Sequence, residues 1–134
     1  MTIILDTNVL ISGIFFSGPP HRILQAWRRN AFDLLISSPI LEEYRRVGDQ
    51  LAKQFRGIDI APILHILTTH AQFAPATRLP NQICQDPDDD KFIACAVAED
   101  CRMIVSGDKE LLKVSGYQNI EVLTPRKFVE NYLS

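Results

Sequence analysis

The sequence has no apolar run near the roughly 18 residues that a membrane-spanning helix needs, so a membrane protein is not expected. Its N-terminus, MTIILDTNV, lacks the basic lead-in and small-residue cleavage site of a secretory signal. Cysteine is scarce: Cys84, Cys95 and Cys101 are scattered and odd in number. They form no zinc spacing and suggest no disulfide framework, which points to a reducing cytoplasm. Repeats, low-complexity tracts and linkers are missing too. The stretch from Ala74 to Pro80 reads as a connection within one domain, and 134 residues suit a single domain (1–134) with a real core.

A net charge of either sign is also nearly lacking, at −2. That does not advertise nucleic-acid binding, yet the balance can mislead. Were four of the sixteen acids gathered at a metal site, twelve would remain against fourteen basic residues, and a divalent ion would offset the cluster. The net charge therefore neither excludes nor favours a nucleic-acid substrate.

What is present is an alternation of strand and helix patterns. "TIILD" (2–6) is a short apolar run without alternation, as in a buried parallel strand. A helix is expected over 20–30, with Pro20 in its first turn, and a strand over 32–37. A second helix is expected over 38–55, with Ser38 as N-cap and Pro39 at the first helical position. Further helices are expected over 60–73 and 89–100, strands over 102–107 and 120–124, and a closing helix over 125–133. Such alternation implies an α/β fold with a largely parallel sheet. Ligands of such sheets bind beyond the carboxyl ends of the strands. Asp6 closes one strand and Asp108 follows another, so both are expected on the same edge.

The most conspicuous stretch is "QDPDDDKFIACA" (85–96), four carboxylates leading into an oily helix. Capping alone accounts for most of them. Asp88 and Asp89 read as cap and loop acids, and Asp86, before Pro87, as a turn residue. Asp90 shares a helical face with Ile93, Ala94 and Val97 and is directed inward, at a helix N-terminus that favours negative charge. On the helix from Ser38, Glu43 borders the apolar stripe of Ile40, Leu41, Tyr44, Val47 and Leu51, whereas Glu42 points away. Asp6, Glu43, Asp90 and Asp108 thus form a candidate quartet. Carboxylates crowded together need a cation or shared protons, and an all-oxygen set suits Mg²⁺ or Mn²⁺ better than zinc. The histidines, His21, His65 and His70, read as surface or helix-face residues.

The blocks "ILDTNVLISGIF" (4–15), "SSPILEEYRRV" (37–47), "DPDDDKFIACAVA" (86–98) and "VSGDKELL" (105–112) resemble those of a PIN domain. With the "TPRKFVENYL" ending (124–133), they look most like the small stand-alone PIN proteins classed as toxin components of toxin–antitoxin systems. The resemblance spans essentially the whole chain. It implies a three-layer α/β/α sandwich around a parallel sheet, and metal-dependent hydrolysis of phosphodiester bonds in RNA. It carries the metal-ligating and catalytic acids onto Asp6, Glu43, Asp90 and Asp108, and auxiliary positions onto Asn8, Ser106 and Glu110. It further implies an antitoxin protein as partner, and homodimers are frequent in the family, although no hydrophobic stripe here is clearly spare.

In this reading Asp6 and Asp90 are the main ligands of a Mg²⁺ or Mn²⁺ ion, Asp108 ligates the same ion, and Glu43 holds a second ion or orients the attacking water. Nucleic acid needs cations away from the acids. Arg28, Arg29, Arg45, Arg46, Lys53, Arg56, Lys91 and Lys109 are the available ones, with Arg46 and Lys109 preferred for substrate binding. Trp27 and Tyr44 read as core. The competing reading is a catalytically inactive PIN-like module that binds RNA or a protein partner, against which the complete quartet argues. A phosphoacceptor domain would need an acid pair after the first strand, and Asp6 is followed by Thr7 and Asn8.

Overall fold

The computed structural model describes residues 1–55 and 57–133. Five strands form one all-parallel sheet: β1 (Thr2–Leu5), β2 (Asp33–Ile36), β3 (Gln72–Phe73), β4 (Met103–Val105) and β5 (Glu121–Leu123), in the spatial order β3-β2-β1-β4-β5. Helices flank this sheet: α1 (Thr7–Phe15), α2 (Pro19–Arg28), α3 (Ser38–Ala52), α4 (Ala61–His70), α5 (Asp90–Ala98), α6 (Lys109–Leu112) and α7 (Pro125–Phe128), the last continuing as a π-helical turn over Val129–Leu133. The architecture is the three-layer α/β/α sandwich expected.

β1 lies at the centre, with Ile3 opposite Leu34 of β2, and Ile4 and Leu5 opposite Ile104 and Val105 of β4. Ile3, Ile4 and Leu5 are all buried. A strand covered on both faces has no solvent side, which is why its sequence shows no alternation. The chain runs outward from β1 to β2 and β3 on one side, then returns to β4 and β5 on the other. The order therefore reverses at the β1–β4 pair, and the crevice beyond the carboxyl ends of these two strands is where such sheets bind ligands.

Several local expectations are corrected. The first strand ends at Leu5, and Asp6 instead stands at the N-cap position of α1, a helix the sequence reading lacked. α2 starts at Pro19, after Gly18 at φ 113°, a left-handed conformation that favours glycine. Ser37, not Ser38, occupies the N-cap position of α3. The helix expected over 60–73 ends at His70, and Gln72–Phe73 pair with β2 as an edge strand. Lys109–Leu112 form a short helix not foreseen. α1 and α2 approach closely at Gly13. A Cβ built there would stand 2.7 Å from Leu24 Cδ1 and 2.8 Å from the Pro20 carbonyl oxygen.

α5 buries five consecutive residues, Phe92 to Ala96, so it has no wet face over that length. Trp27 and Tyr44 are core residues, as read. Among the described residues, no helix is long and apolar enough to cross a membrane, and the three cysteines are buried free thiols.

Candidate active site

Among the described residues Asp6 is the buried acid, 6% exposed, immediately after β1. Its amide donates to the Val105 carbonyl at 2.9 Å, and its carbonyl accepts from the amides of Val9 and Leu10 in the first turn of α1. Its backbone is thus fixed by β4 on one side and α1 on the other. Its Oδ2 accepts a 2.6 Å hydrogen bond from Ser106 Oγ. Ser106 follows β4, is fully buried, and its hydroxyl also accepts from the Asp108 amide at 3.0 Å. Burial pushes the Asp6 carboxyl above its usual range. Ser106 and the Thr7 amide oppose this, while the charges of Asp108 and Glu43 add to it.

Asp108 is half-buried, and its Oδ1 accepts from the Glu110 amide at 3.0 Å, capping α6. Strand direction explains its placement: β1 and β4 are adjacent and parallel, so the residues after them emerge together.

Glu43 comes from α3, whose preceding loop follows β2. The next residue, Tyr44, is fully buried, and its hydroxyl donates to the Leu5 carbonyl beside Asp6. Burial raises the Tyr44 hydroxyl well above the usual phenol value, so it remains a donor. This anchor sets Glu43 toward the strand ends. Both Glu43 oxygens are engaged: Oε2 accepts from the Thr7 hydroxyl, and Oε1 lies 2.7 Å from Lys91 Nζ and 3.9 Å from Arg46. Lys91 reaches Asp88 as well, at 3.1 Å. Burial alone would lower the Lys91 pKa, but Glu43 and Asp88 outweigh it and hold the ammonium above its ordinary value. Its hydrogen bond pulls the Asp88 carboxyl down.

The segment before α5 departs from its sequence reading. Asp86 is the cap: its Oδ1 accepts the Asp88 amide at 2.9 Å and starts the 3₁₀ turn Pro87–Asp89. Asp90 has both oxygens on backbone amides, Oδ1 on Cys84 at 2.7 Å and Oδ2 on Ile83 at 3.1 Å. It clamps the loop of residues 83–84 onto the start of α5. Asp89 is the half-buried acid of this segment whose carboxyl is raised by burial and by the neighbouring acids. Its carboxyl is raised to about 7, first by burial and then by the charges of Asp108, Asp6, Asp86 and Glu43. A signal for it existed. Carried back one residue, the helical spacing puts Asp89 over Phe92, Ile93 and Ala96, all fully buried, whereas the face read for Asp90 ends on exposed Val97.

The remaining assigned positions scatter. Asn8 is exposed, and its neighbour Thr7 is the polar residue buried against Glu43. Glu110 pairs with Lys113 at 3.0 Å. Lys109 is exposed beside Asp108, and Arg46 flanks Glu43. Arg28, Arg29, Arg45 and Lys53 are exposed. Arg56 lies outside the described residues. His65 and His70 are exposed, and His21 meets the Gly13 carbonyl at 3.0 Å. Beside the site, Arg78, Asn81, Gln82, Pro39, Asp90 and Lys91 line a groove of about 360 Å³.

The donor chemistry suits a hard divalent cation: carboxylates only, two of them raised first by burial and then by the charges of neighbouring acids. The side chains are engaged with amides, hydroxyls and an ammonium. Among the described residues, no three His, Cys, Asp or Glu converge on one point as metal ligands. Ligation therefore requires rotation of carboxylates that the backbone already brings to one edge.

Comparison with known proteins points to one family and one fold. Residues 2–110 match the family described as PIN domain. "Uncharacterized protein MJ1680" of Methanocaldococcus jannaschii is 30% identical over 145 residues, covering 97% of this chain and 90% of that protein. The fold is similar to that in the crystal structure of VapBC2 from Rickettsia felis bound to a DNA fragment from their promoter. There the TM-score is 0.59 at 15% identity, over 92% of this chain and 98% of that one. At that identity the likeness is one of fold.

Proposed function

The chain belongs to the PIN domain family, and from that premise we propose that it is a divalent-metal-dependent endoribonuclease, the toxin component of a toxin–antitoxin system. The observation that carries the reading is the shared neighbourhood of Asp6, Glu43, Asp89 and Asp108 beyond the β1–β4 strand ends. Clustered acids give a purely structural domain nothing in return for their repulsion. The toxin role is supported by the four sequence blocks and by the fold shared with the VapBC2 structure. It brings with it an antitoxin protein as partner, RNA as substrate and a cytoplasmic setting, the last in keeping with three reduced, buried thiols.

Asp6, Asp89 and Asp108 would hold the Mg²⁺ or Mn²⁺ ion. When bound, the ion supplies a nucleophilic water at neutral pH and relieves charge on the phosphoryl oxygens. Ser106 keeps Asp6 in its rotamer and ties it to the Asp108 backbone. Asp90, first assigned as a main ligand, keeps the 83–84 loop against α5 so that Asp89 faces the site, and each of its oxygens retains a second lone pair for the same edge. Glu43 orients the attacking water. Arg46 and Lys109, exposed on either side, take the flanking phosphates of the strand.

The test is cleavage of RNA by the purified chain. Activity is expected with Mg²⁺ or Mn²⁺, lost with EDTA and restored by metal, and reduced at least ~10²-fold in Asp6→Asn. Absence of cleavage with either ion would favour the inactive RNA- or protein-binding module, a reading that the engagement of Glu43 by Lys91 supports.

A further inference from the structure

Lys91 stands apart from the other cations. Those of α2 and α3 are exposed, whereas the Lys91 side chain is only 16% exposed and points into the acidic cluster. Its Nζ lies 2.7 Å from Glu43 Oε1 and 3.1 Å from Asp88 Oδ1. The other Glu43 oxygen is taken by the Thr7 hydroxyl. Each Glu43 oxygen thus accepts from a donor of the protein itself, while Ser106 links Asp6 and Asp108. An ammonium donates in up to three directions, and two are used here. A divalent ion placed beside that carboxylate would stand close to the ammonium, and like charges so near repel each other.

We propose that Lys91 is the built-in cation of this site: its ammonium holds the place beside Glu43 that a second divalent ion would take, so that the cluster binds one ion rather than two. The inference rests on the nuclease reading and refines it. Lys91 acts through Glu43, as a positioning residue, and it also lines the groove beside the site. The packing makes this arrangement local to the chain. α3 and α5 lie against each other, and Lys91 sits in the first turn of α5, so its side chain spans from one helix to the other. A plain surface ion pair would have no bearing on how many metal ions the protein accepts.

The experiment is a Mn²⁺ titration of the full chain, followed by the electron paramagnetic resonance signal of free Mn²⁺. The parent is expected to bind one ion. Lys91→Met, with the place beside Glu43 vacated, is expected to bind two, and Lys91→Arg, which keeps the charge, one. Glu43→Gln guards against a poorly folded Lys91→Met. It is expected to keep one ion with affinity changed less than about tenfold, which is smaller than the loss of a supporting ligand partner usually costs. Two ions in the parent, one ion in folded Lys91→Met, or loss of the ion in Glu43→Gln would each overturn the proposal. Two ions in a parent that cuts RNA removes this inference alone. No ion bound and no RNA cut removes the nuclease reading with it.

Discussion

Ser106 Oγ, 2.6 Å from Asp6 Oδ2, joins residues one hundred positions apart in the chain. The same hydroxyl accepts from the Asp108 amide, so one buried side chain couples the loops after β1 and β4. Ser106→Ala would leave the Asp6 carboxylate and the Asp108 amide short of a partner. Hydrogen bonds to charged groups contribute about 1.5–3 kcal/mol, and a loss of that order is expected in urea melts at pH 7. Ser106 also lowers the Asp6 pKa, so the variant should hold its Asp6 proton to higher pH than the parent. The pH profile of RNA cleavage should shift upward with it, which a loss of packing alone would not cause.

Tyr44 tests the other wall. Its buried hydroxyl donates to the Leu5 carbonyl, immediately before Asp6. Tyr44→Phe keeps the ring and removes the bond, and the cost expected is about 1–3 kcal/mol for a buried acceptor left without its donor. Because Glu43 precedes Tyr44, cleavage should fall more than stability predicts. Unchanged activity in a destabilised protein would mean that α3 holds its place without this anchor.

Asp89 carries the pH dependence of the metal-free fold. Its carboxyl is at about 7 in the folded protein, against 3.8 when unperturbed. Between those values the folded chain keeps a proton that the unfolded chain has lost. Stability therefore falls as pH rises from about 4 to about 7 and levels off above that. Asp6, also raised, adds a slope of the same sign. Melts in EDTA across this range should show the decline, and Asp89→Asn should flatten it and be more stable than the parent at pH 8. Asp88 has the opposite sign, since Lys91 lowers its pKa. Its pairing helps above its unperturbed pKa and is lost as pH falls through the lowered value. At 62% side-chain exposure the effect is small, under about 1 kcal/mol.

The parts legible in the sequence were those in which one period dominated. β1 read as a buried strand and β4 as a strand, and the stripe of Ile40 and Tyr44 on α3 placed Glu43 at its border and Glu42 away from it. α1 escaped because Val9, Leu10, Ile11 and Gly13 are all buried, which leaves only Asn8 and Ser12 as a narrow polar side to show a helical period. β3 escaped because two residues bear no period at all. Within the site, Asp6 and Asp108 followed from strand direction alone. Asp88 and Asp89 were read as cap and loop acids, whereas the cap of the 3₁₀ turn that precedes α5 is Asp86. Thr7 was passed over for Asn8, since nothing local to the sequence tells that position 7 turns toward an acid on another helix.

The adjacent acids Asp89 and Asp90 give the sharpest test, because the same substitution should act in opposite directions. A cation that binds only the folded state stabilises it by RT ln(1 + [L]/Kd), about 1.4 kcal/mol at tenfold excess over a millimolar Kd. For a domain of this size that is about 3–7 °C in melting temperature. Addition of Mn²⁺ should produce this rise in the parent and in Asp88→Asn, but not in Asp6→Asn or Asp89→Asn. Without metal, Asp89→Asn should be as stable as the parent or more so at neutral pH, since it removes a charge that faces Asp108 and Asp6. Asp90→Asn should be less stable without metal. Its carboxylate accepts two amides, from Ile83 and Cys84, and an asparagine turns an NH₂ toward one of them. If Asp90→Asn instead gained stability and lost the whole metal response while Asp89→Asn kept it, the ligand would be Asp90, and the amides of the 83–84 loop would be only its resting partners.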